Sequence, residues 1–194
     1  KDALAEATCR LAAIQRAHGR DAVGFYYGNP TGHSYSALLY GILLQKVIGS
    51  RSLFSSNSVD ALPRLLTSLL MYGSQAVIPV PDLERTRFLL VVGANPVVSN
   101  GSVMTAPDCR HRLDEIRARG GRLVVVDPRR TETAERADAH HFIRPGTDAL
   151  FLLGLLHTWF TESLLRPGRT GELVFGLDRM RAIAAGFPPE LTFA

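Results

Sequence analysis

Two short apolar runs, joined by a helical segment, constrain the fold of this chain more than any other feature. Residues 88–92 and 123–126 do not alternate between polar and apolar side chains, which is typical of parallel strands covered on both faces. Residues 106–119 between them repeat apolar side chains at helical spacing and end at Gly120. Because neighbouring parallel strands need a crossover connection, usually a right-handed one, the sequence predicts a βαβ unit.

The rest of the chain continues this alternation without an internal repeat or a long linker. The apolar stretch 150–160 predicts a buried helix, since a bilayer span needs about 20 residues. Helices are predicted over residues 2–18, 35–48, 59–72, 131–136 and 148–160, and strands over 22–27, 53–54 and 140–143. We therefore expect one α/β domain over residues 1–194, a three-layer α/β/α fold with a doubly wound, mainly parallel sheet.

Composition excludes several classes of protein. The 22 basic and 18 acidic residues are largely interspersed, whereas a nucleic-acid surface is more uniformly positive. Cys9 and Cys109 are far apart and form no CxxC pair, so neither a disulfide scaffold nor a cysteine-ligated zinc or iron–sulfur site is expected within these residues. No charged and then apolar leader is visible, which favours a cytoplasmic chain.

Polar residues and glycines follow the predicted strands at three places. Ligands of open parallel sheets bind at the carboxyl ends of the strands, where helix N-termini offer free N–H groups. The candidate binding residues are Gly93, Asn95, Asp127, Arg129, Gly146 and Asp148. A carboxylate can accept ribose hydroxyls, and an arginine can bind phosphate or stack on a purine, so the set suits a nucleotide.

The same residues also fit simpler roles. Asn95 before Pro96 is common turn chemistry, Asp127 can cap a following helix, and Thr147 with Asp148 is a standard helix start. The G-x-G-x-x-G fingerprint is missing, and an acidic residue 34 positions after Gly93 is further away than the usual spacing of about 20. Ordinary nicotinamide binding is therefore not expected.

Histidines and serines give weaker signals. The six histidines lack a second ligand at metal spacing and are interpreted as structural, with His33 a partial exception because it follows a strand-end turn. The run from Ser55 to Ser58 is interpreted as an N-cap for the helix over 59–72.

Three motifs together resemble the molybdopterin oxidoreductase family of formate dehydrogenases, nitrate reductases and dimethyl sulfoxide reductases. They are Val92-Gly-Ala-Asn-Pro96, then Arg119-Gly-Gly-Arg-Leu-Val-Val-Val-Asp-Pro-Arg-Arg-Thr-Glu-Thr-Ala134 with Ala137-Asp138, then Ile143-Arg-Pro-Gly-Thr-Asp148. Their order and spacing match the family, and the similarity extends along nearly the whole chain.

The resemblance implies an excised domain that binds the guanosine diphosphate end of molybdopterin guanine dinucleotide carrying molybdenum or tungsten. It places Gly93 and Asn95 at the pyrophosphate or ribose, Asp127 and Arg129 at the guanosine, and Gly146 with Asp148 at the guanine. The parent protein would be an oxidoreductase, with an iron–sulfur cluster and an electron-transfer partner outside this chain. The isolated chain is expected to be inactive, with no nucleic-acid partner and no membrane span.

One departure from the family pattern concerns the metal. Relatives place a Cys, selenocysteine, Ser or Asp ligand at the loop occupied here by residues 54–58, where no cysteine stands. Ser55 is the candidate metal ligand if the protein supplies one. Two alternatives stay open: a cofactor-free relative, as in the large iron–sulfur subunit of respiratory complex I, and a regulatory nucleotide-binding module.

Overall fold

The structure, a computed structural model, describes residues 1–28, 31, 34–101 and 106–192. The chain divides into two compact units, Lys1–Asp82 with Ser99–Cys109, and Leu83–Val98 with Arg110–Ala194. All strand pairs described are parallel, which confirms the α/β class. The units are described separately below, and the single domain over residues 1–194 stays a prediction.

The first unit has three helices and a two-stranded parallel sheet in its described part. Its elements are α1 (Asp2–His18), β1 (Phe25–Tyr27), α2 (Tyr35–Ile48), β2 (Leu53–Ser55) and α3 (Leu62–Tyr72). Helix α2 ends at Gly49, whose left-handed φ of 66° provides the stop. The predicted bounds of α1 and α2 are confirmed.

Helix α3 begins later than predicted. Ser56–Ser58 form a 3-10 turn, and the Ser55 hydroxyl accepts a hydrogen bond from the Asn57 backbone N–H at 3.3 Å. The serine therefore caps this short turn, and the predicted N-cap for the long helix was wrong. The N-cap residue of α3 is Ala61, whose side chain makes no capping bond.

The second unit contains a three-stranded sheet in the order β3-β4-β5. The strands are β3 (Phe88–Val92), β4 (Arg122–Val126) and β5 (Ala139–His141). The helices of this part of the chain are α4 (Pro96–Ser99), α5 (Cys109–Ala118), α6 (Asp148–Thr161), α7 (Leu177–Ala184) and α8 (Pro189–Thr192), with 3-10 turns at Ala134–Arg136 and Gly168–Leu173. The predicted βαβ order is confirmed.

The core of this unit comes from the central strand and the crossover helix. Leu123 and Val125 of β4 are fully buried, as are Leu113 and Ile116 of α5. Leu113 and Ile116 belong to the helically spaced apolar residues from which this helix was predicted. Strand β3, at the edge, is only partly covered, and its Phe88 is 58% exposed.

Helix α6 is half-exposed, so the expectation of a buried helix was wrong. Leu150, Leu152 and Trp159 are 37–47% exposed, and Gly154 is the one buried residue of this helix. The helix packs against α7 and α8. Its side chains outside these contacts are partly exposed. No helix within the described ranges is both long and apolar enough to cross a membrane.

Candidate functional site

The carboxyl ends of β3, β4 and β5 lie side by side. Val92 pairs with Val126, and Val126 pairs with His141. The ladder continues one residue further, because the Gly93 N–H donates to the Val126 carbonyl and the Asp127 N–H donates to the His141 carbonyl. The loops after the three strands therefore start from the same end of the sheet, the end at which all three strands finish, as the sequence predicted.

Asp148, the first residue of α6, lies at the same end of the sheet, close to Gly93. A Cβ atom at Gly93 would lie 3.7 Å from Asp148 Oδ1. Gly93 and Gly146 have φ angles of 61° and 84°, in the left-handed region that favours glycine. Both glycines are exposed, so their backbone is open to an approaching ligand.

Asp127 presents a carboxylate from a mostly buried position. The residue is 7% exposed, and its Oδ1 accepts a hydrogen bond from the Arg129 backbone N–H at 2.8 Å. Its backbone carbonyl contacts His140 Nε2 at 3.1 Å. The hydrogen bond described for this carboxylate uses Oδ1, and the second oxygen, Oδ2, has lone pairs of its own. Asp127 can therefore accept a donor from a ligand.

Asn95 joins the loop after β3 to the segment after β4. Its Nδ2 donates to Glu132 Oε2 at 2.7 Å, and its Oδ1 accepts from the Thr133 hydroxyl at 2.7 Å and the Thr133 N–H at 3.3 Å. The Thr133 hydroxyl also accepts from the Val97 N–H at 3.2 Å. The predicted ligand-binding side chain is thus engaged within the protein, with one amide N–H left for another partner.

Glu132 and Thr133 were missed as site residues. They stand within the second motif, but periodicity carries no sign that they meet a side chain more than 30 positions away. The backbone N–H of Glu132 and then the Asn95 amide lower the pKa of the Glu132 carboxyl, and attraction from the guanidinium of Arg129 adds a smaller effect. The exposed Arg129 guanidinium is therefore attracted by the negative charge of the Glu132 carboxylate.

Asp148 begins α6, as the sequence predicted, but Thr147 does not cap the helix through its side chain. The Thr147 hydroxyl donates to the Arg144 carbonyl at 2.7 Å. The first N–H groups of this 14-residue helix therefore lack a cap from that hydroxyl, and they provide the positive end of a helix dipole.

The candidate metal residue, Ser55, belongs to the first unit. It is half-buried, and its hydroxyl oxygen accepts the one bond described above, which leaves a second lone pair. No group of three or more potential metal ligands among His, Cys, Asp and Glu occurs in the described residues. His33 lies outside them. His140 and His157 contact backbone carbonyls, in agreement with the structural role predicted for them.

Comparisons with known proteins agree on one family. The family model of the molybdopterin oxidoreductases matches residues 1–166. Formate dehydrogenase H of Escherichia coli is 25% identical to this chain over 191 residues, which are 93% of this chain and 25% of the relative. The molybdopterin-containing subunit of thiosulfate reductase from Salmonella typhimurium is 25% identical, over 98% of this chain and 23% of that protein.

The fold is also similar to a solved structure. Acetylene hydratase from Pelobacter acetylenicus superposes with a TM-score of 0.62 and 24% identity, over all of this chain and 26% of that one. The chain spans about a quarter of the length of the curated relatives named above. The family match extends over most of the chain and includes all three strand-end motifs, and the chain therefore belongs to the molybdopterin oxidoreductase family.

Proposed function

We propose that this chain binds the guanosine diphosphate end of a molybdopterin guanine dinucleotide, as one domain of a molybdenum or tungsten oxidoreductase. The observation that carries the proposal is the convergence of Gly93, Asp127 and Asp148 at the carboxyl edge of a parallel sheet. Ligands bind at this edge in open α/β sheets.

The chemistry of these residues fits a nucleotide. Gly93 and Gly146 leave backbone accessible, and the N-terminus of α6 favours an anionic group. Arg129 adds an exposed guanidinium suited to phosphate oxygens or to the face of a purine. The second carboxylate oxygen of Asp127 can accept N–H or O–H donors, which a guanine edge and a ribose both have.

Each residue has an assigned part in the proposal. Gly93 and Asn95 face the pyrophosphate or ribose, and Asn95 uses its remaining amide N–H. Asp127 and Arg129 hold the guanosine. A further pair, Gly146 and Asp148, completes the guanine pocket, where the Asp148 carboxylate accepts donors from the base.

The metal supplies the redox chemistry when the cofactor is bound, while the protein positions it and sets its electrostatic surroundings. Ser55 is the proposed metal ligand, through the free lone pair of its hydroxyl. The remaining domains of the parent protein would supply the iron–sulfur cluster and the docking site for an electron-transfer partner. Alone, the chain is expected to have no oxidoreductase activity.

Titration with GDP tests the nucleotide site. We expect Asp127→Asn and Asp148→Asn each to weaken GDP binding by about tenfold or more, since each removes a charged acceptor. In Asp127→Asn the Oδ1 atom still accepts from Arg129, so the loop should keep its shape.

Two matched variants control for lost charge alone. Asp138→Asn removes a carboxylate that accepts a backbone N–H from Leu123, at the opposite end of β4. Asp178→Asn removes an acidic residue from the first turn of α7. Both should keep the GDP affinity within about twofold, because neither lies at the proposed site.

Three results would contradict parts of the proposal. Wild-type affinity in Asp127→Asn and Asp148→Asn would show that these carboxylates do not contact the nucleotide. A preference for ADP over GDP would indicate a general nucleotide-binding module. Absence of both molybdenum and tungsten from the protein purified from its own host would favour a structural relative without the cofactor.

A further inference from the structure

We propose that Thr133 is a positioning residue, which holds the loop after β3 in the shape that the nucleotide site requires. The inference rests on the proposed function, because it assigns a role within that same site. It concerns a residue that does not face the ligand: Thr133 is 0% exposed.

The hydroxyl of Thr133 makes two bonds of opposite direction. It donates to Asn95 Oδ1 at 2.7 Å and accepts from the Val97 backbone N–H at 3.2 Å. Both partners follow β3, Asn95 in the loop and Val97 in the short helix α4, whereas Thr133 follows β4. A hydroxyl can donate and accept at once, and no aliphatic side chain of the same shape can do either.

The contacts of Asn95 with the Glu132 carboxylate and the Thr133 backbone N–H determine how its side-chain amide is oriented. Glu132 can only accept when ionised, and the backbone N–H of Thr133 can only donate, so Nδ2 must face the carboxylate and Oδ1 must face Thr133. The side-chain amide is fixed at three points. Its remaining N–H direction is then set before any ligand arrives.

The same contacts constrain the turn at Gly93. Gly93 leaves β3 with a left-handed φ of 61° and stands two residues before Asn95. Because Asn95 and Val97 are both tied to Thr133, the path of residues 93–97 depends on the segment after β4. Loss of the hydroxyl would remove one of the three bonds that hold Asn95 and leave the Val97 N–H without its acceptor.

Three variants separate positioning from simple stability. Thr133→Val removes the hydroxyl but keeps the branched shape, whereas Thr133→Ser keeps the hydroxyl. Thr131→Val is the matched control, since Thr131 is 3% exposed and its hydroxyl accepts only a local bond, from the Ala134 N–H at 3.1 Å.

GDP affinity is the first measurement. We expect Thr133→Val to bind GDP about tenfold more weakly, whereas Thr133→Ser and Thr131→Val stay within about twofold of wild type. Equal weakening in Thr133→Val and Thr131→Val would overturn the inference, because both would then act through general destabilisation. Failure of Thr133→Ser to restore binding would also overturn it.

Amide hydrogen exchange without nucleotide is the second measurement, and it does not depend on the proposed function. The Val97 amide should be protected in the wild-type chain and exchange at least about tenfold faster in Thr133→Val, with Thr131→Val unchanged at this amide. An unprotected Val97 amide in wild type would refute the contact even if Thr133→Val does not fold. Protection of Val97 together with no GDP binding would refute the nucleotide site and leave the loop contact standing.

Discussion

Substitution of Gly121 by alanine should destabilise the second unit far more than the same change one residue earlier. Gly121 lies between α5 and β4, and a Cβ atom there would stand 2.7 Å from the backbone oxygens of Arg87 and Ile116, and 2.8 Å from Ile116 Cγ2. Ile116 is fully buried, and the Arg87 carbonyl already accepts a bond from the Arg122 N–H. Neither neighbour can give way without moving the sheet or the helix.

The magnitude follows from a comparison with Gly120. Overpacking a dense core costs about 1–3 kcal/mol, and two backbone contacts below 3.0 Å place Gly121→Ala near the upper end, at about 3 kcal/mol. Gly120 has φ +78°, and no atom lies within 4 Å of an added Cβ. Alanine there should therefore lower the free energy of unfolding only by the cost of a left-handed backbone, about 1 kcal/mol. The expected difference is about 2 kcal/mol.

Urea unfolding, followed by tryptophan fluorescence, measures this difference. The chain contains one tryptophan, Trp159, which lies in α6 of the same unit. Gly121→Ala should shift the midpoint to clearly lower urea than Gly120→Ala. Equal midpoints would refute the reasoning, because they would mean that Gly121 does not lie this close to Arg87 and Ile116.

Three further predictions concern the core, acid stability and the nucleotide site. Leu113→Ala should cost about 3 kcal/mol in the same assay, because Leu113 is 1% exposed. The Leu123 N–H lowers the pKa of Asp138, so its stabilising contribution should be present above about pH 4 and lost as pH falls through the lowered pKa, and Asp138→Asn should flatten this acid dependence. Gly93→Ala and Gly120→Ala should lose similar stability, but only Gly93→Ala should weaken GDP binding, by about tenfold.

Each of these predictions has a contradicting result. A change below about 0.5 kcal/mol in Leu113→Ala would mean that the α5 face is not a packed core. Parallel stability curves of wild type and Asp138→Asn between pH 2 and 6 would contradict the charged bond to Leu123. Equal GDP affinities in Gly93→Ala and Gly120→Ala would remove Gly93 from the site.

Local patterns predicted the elements that end at clear signals. Gly19 and Gly49 terminate α1 and α2 where the sequence placed their ends. Strand β3 matches the predicted run Phe88–Val92, because five consecutive apolar residues that end at a glycine are typical of a short buried strand. Helix α3 differed because the polar run after β2 forms its own 3-10 turn before the helix begins.

The sequence alone determined the parallel α/β class, the order of strand and helix, and the positions of Gly93, Asp127 and Asp148 after strands or before a helix. These features depend on residue type and on spacing along the chain. Only the tertiary structure decided that Thr133 and Glu132 hold Asn95 and that Asp148 stands near Gly93. Such contacts join residues 37–55 positions apart, and their geometry depends on how strand ends and loops meet in space, which no local periodicity encodes.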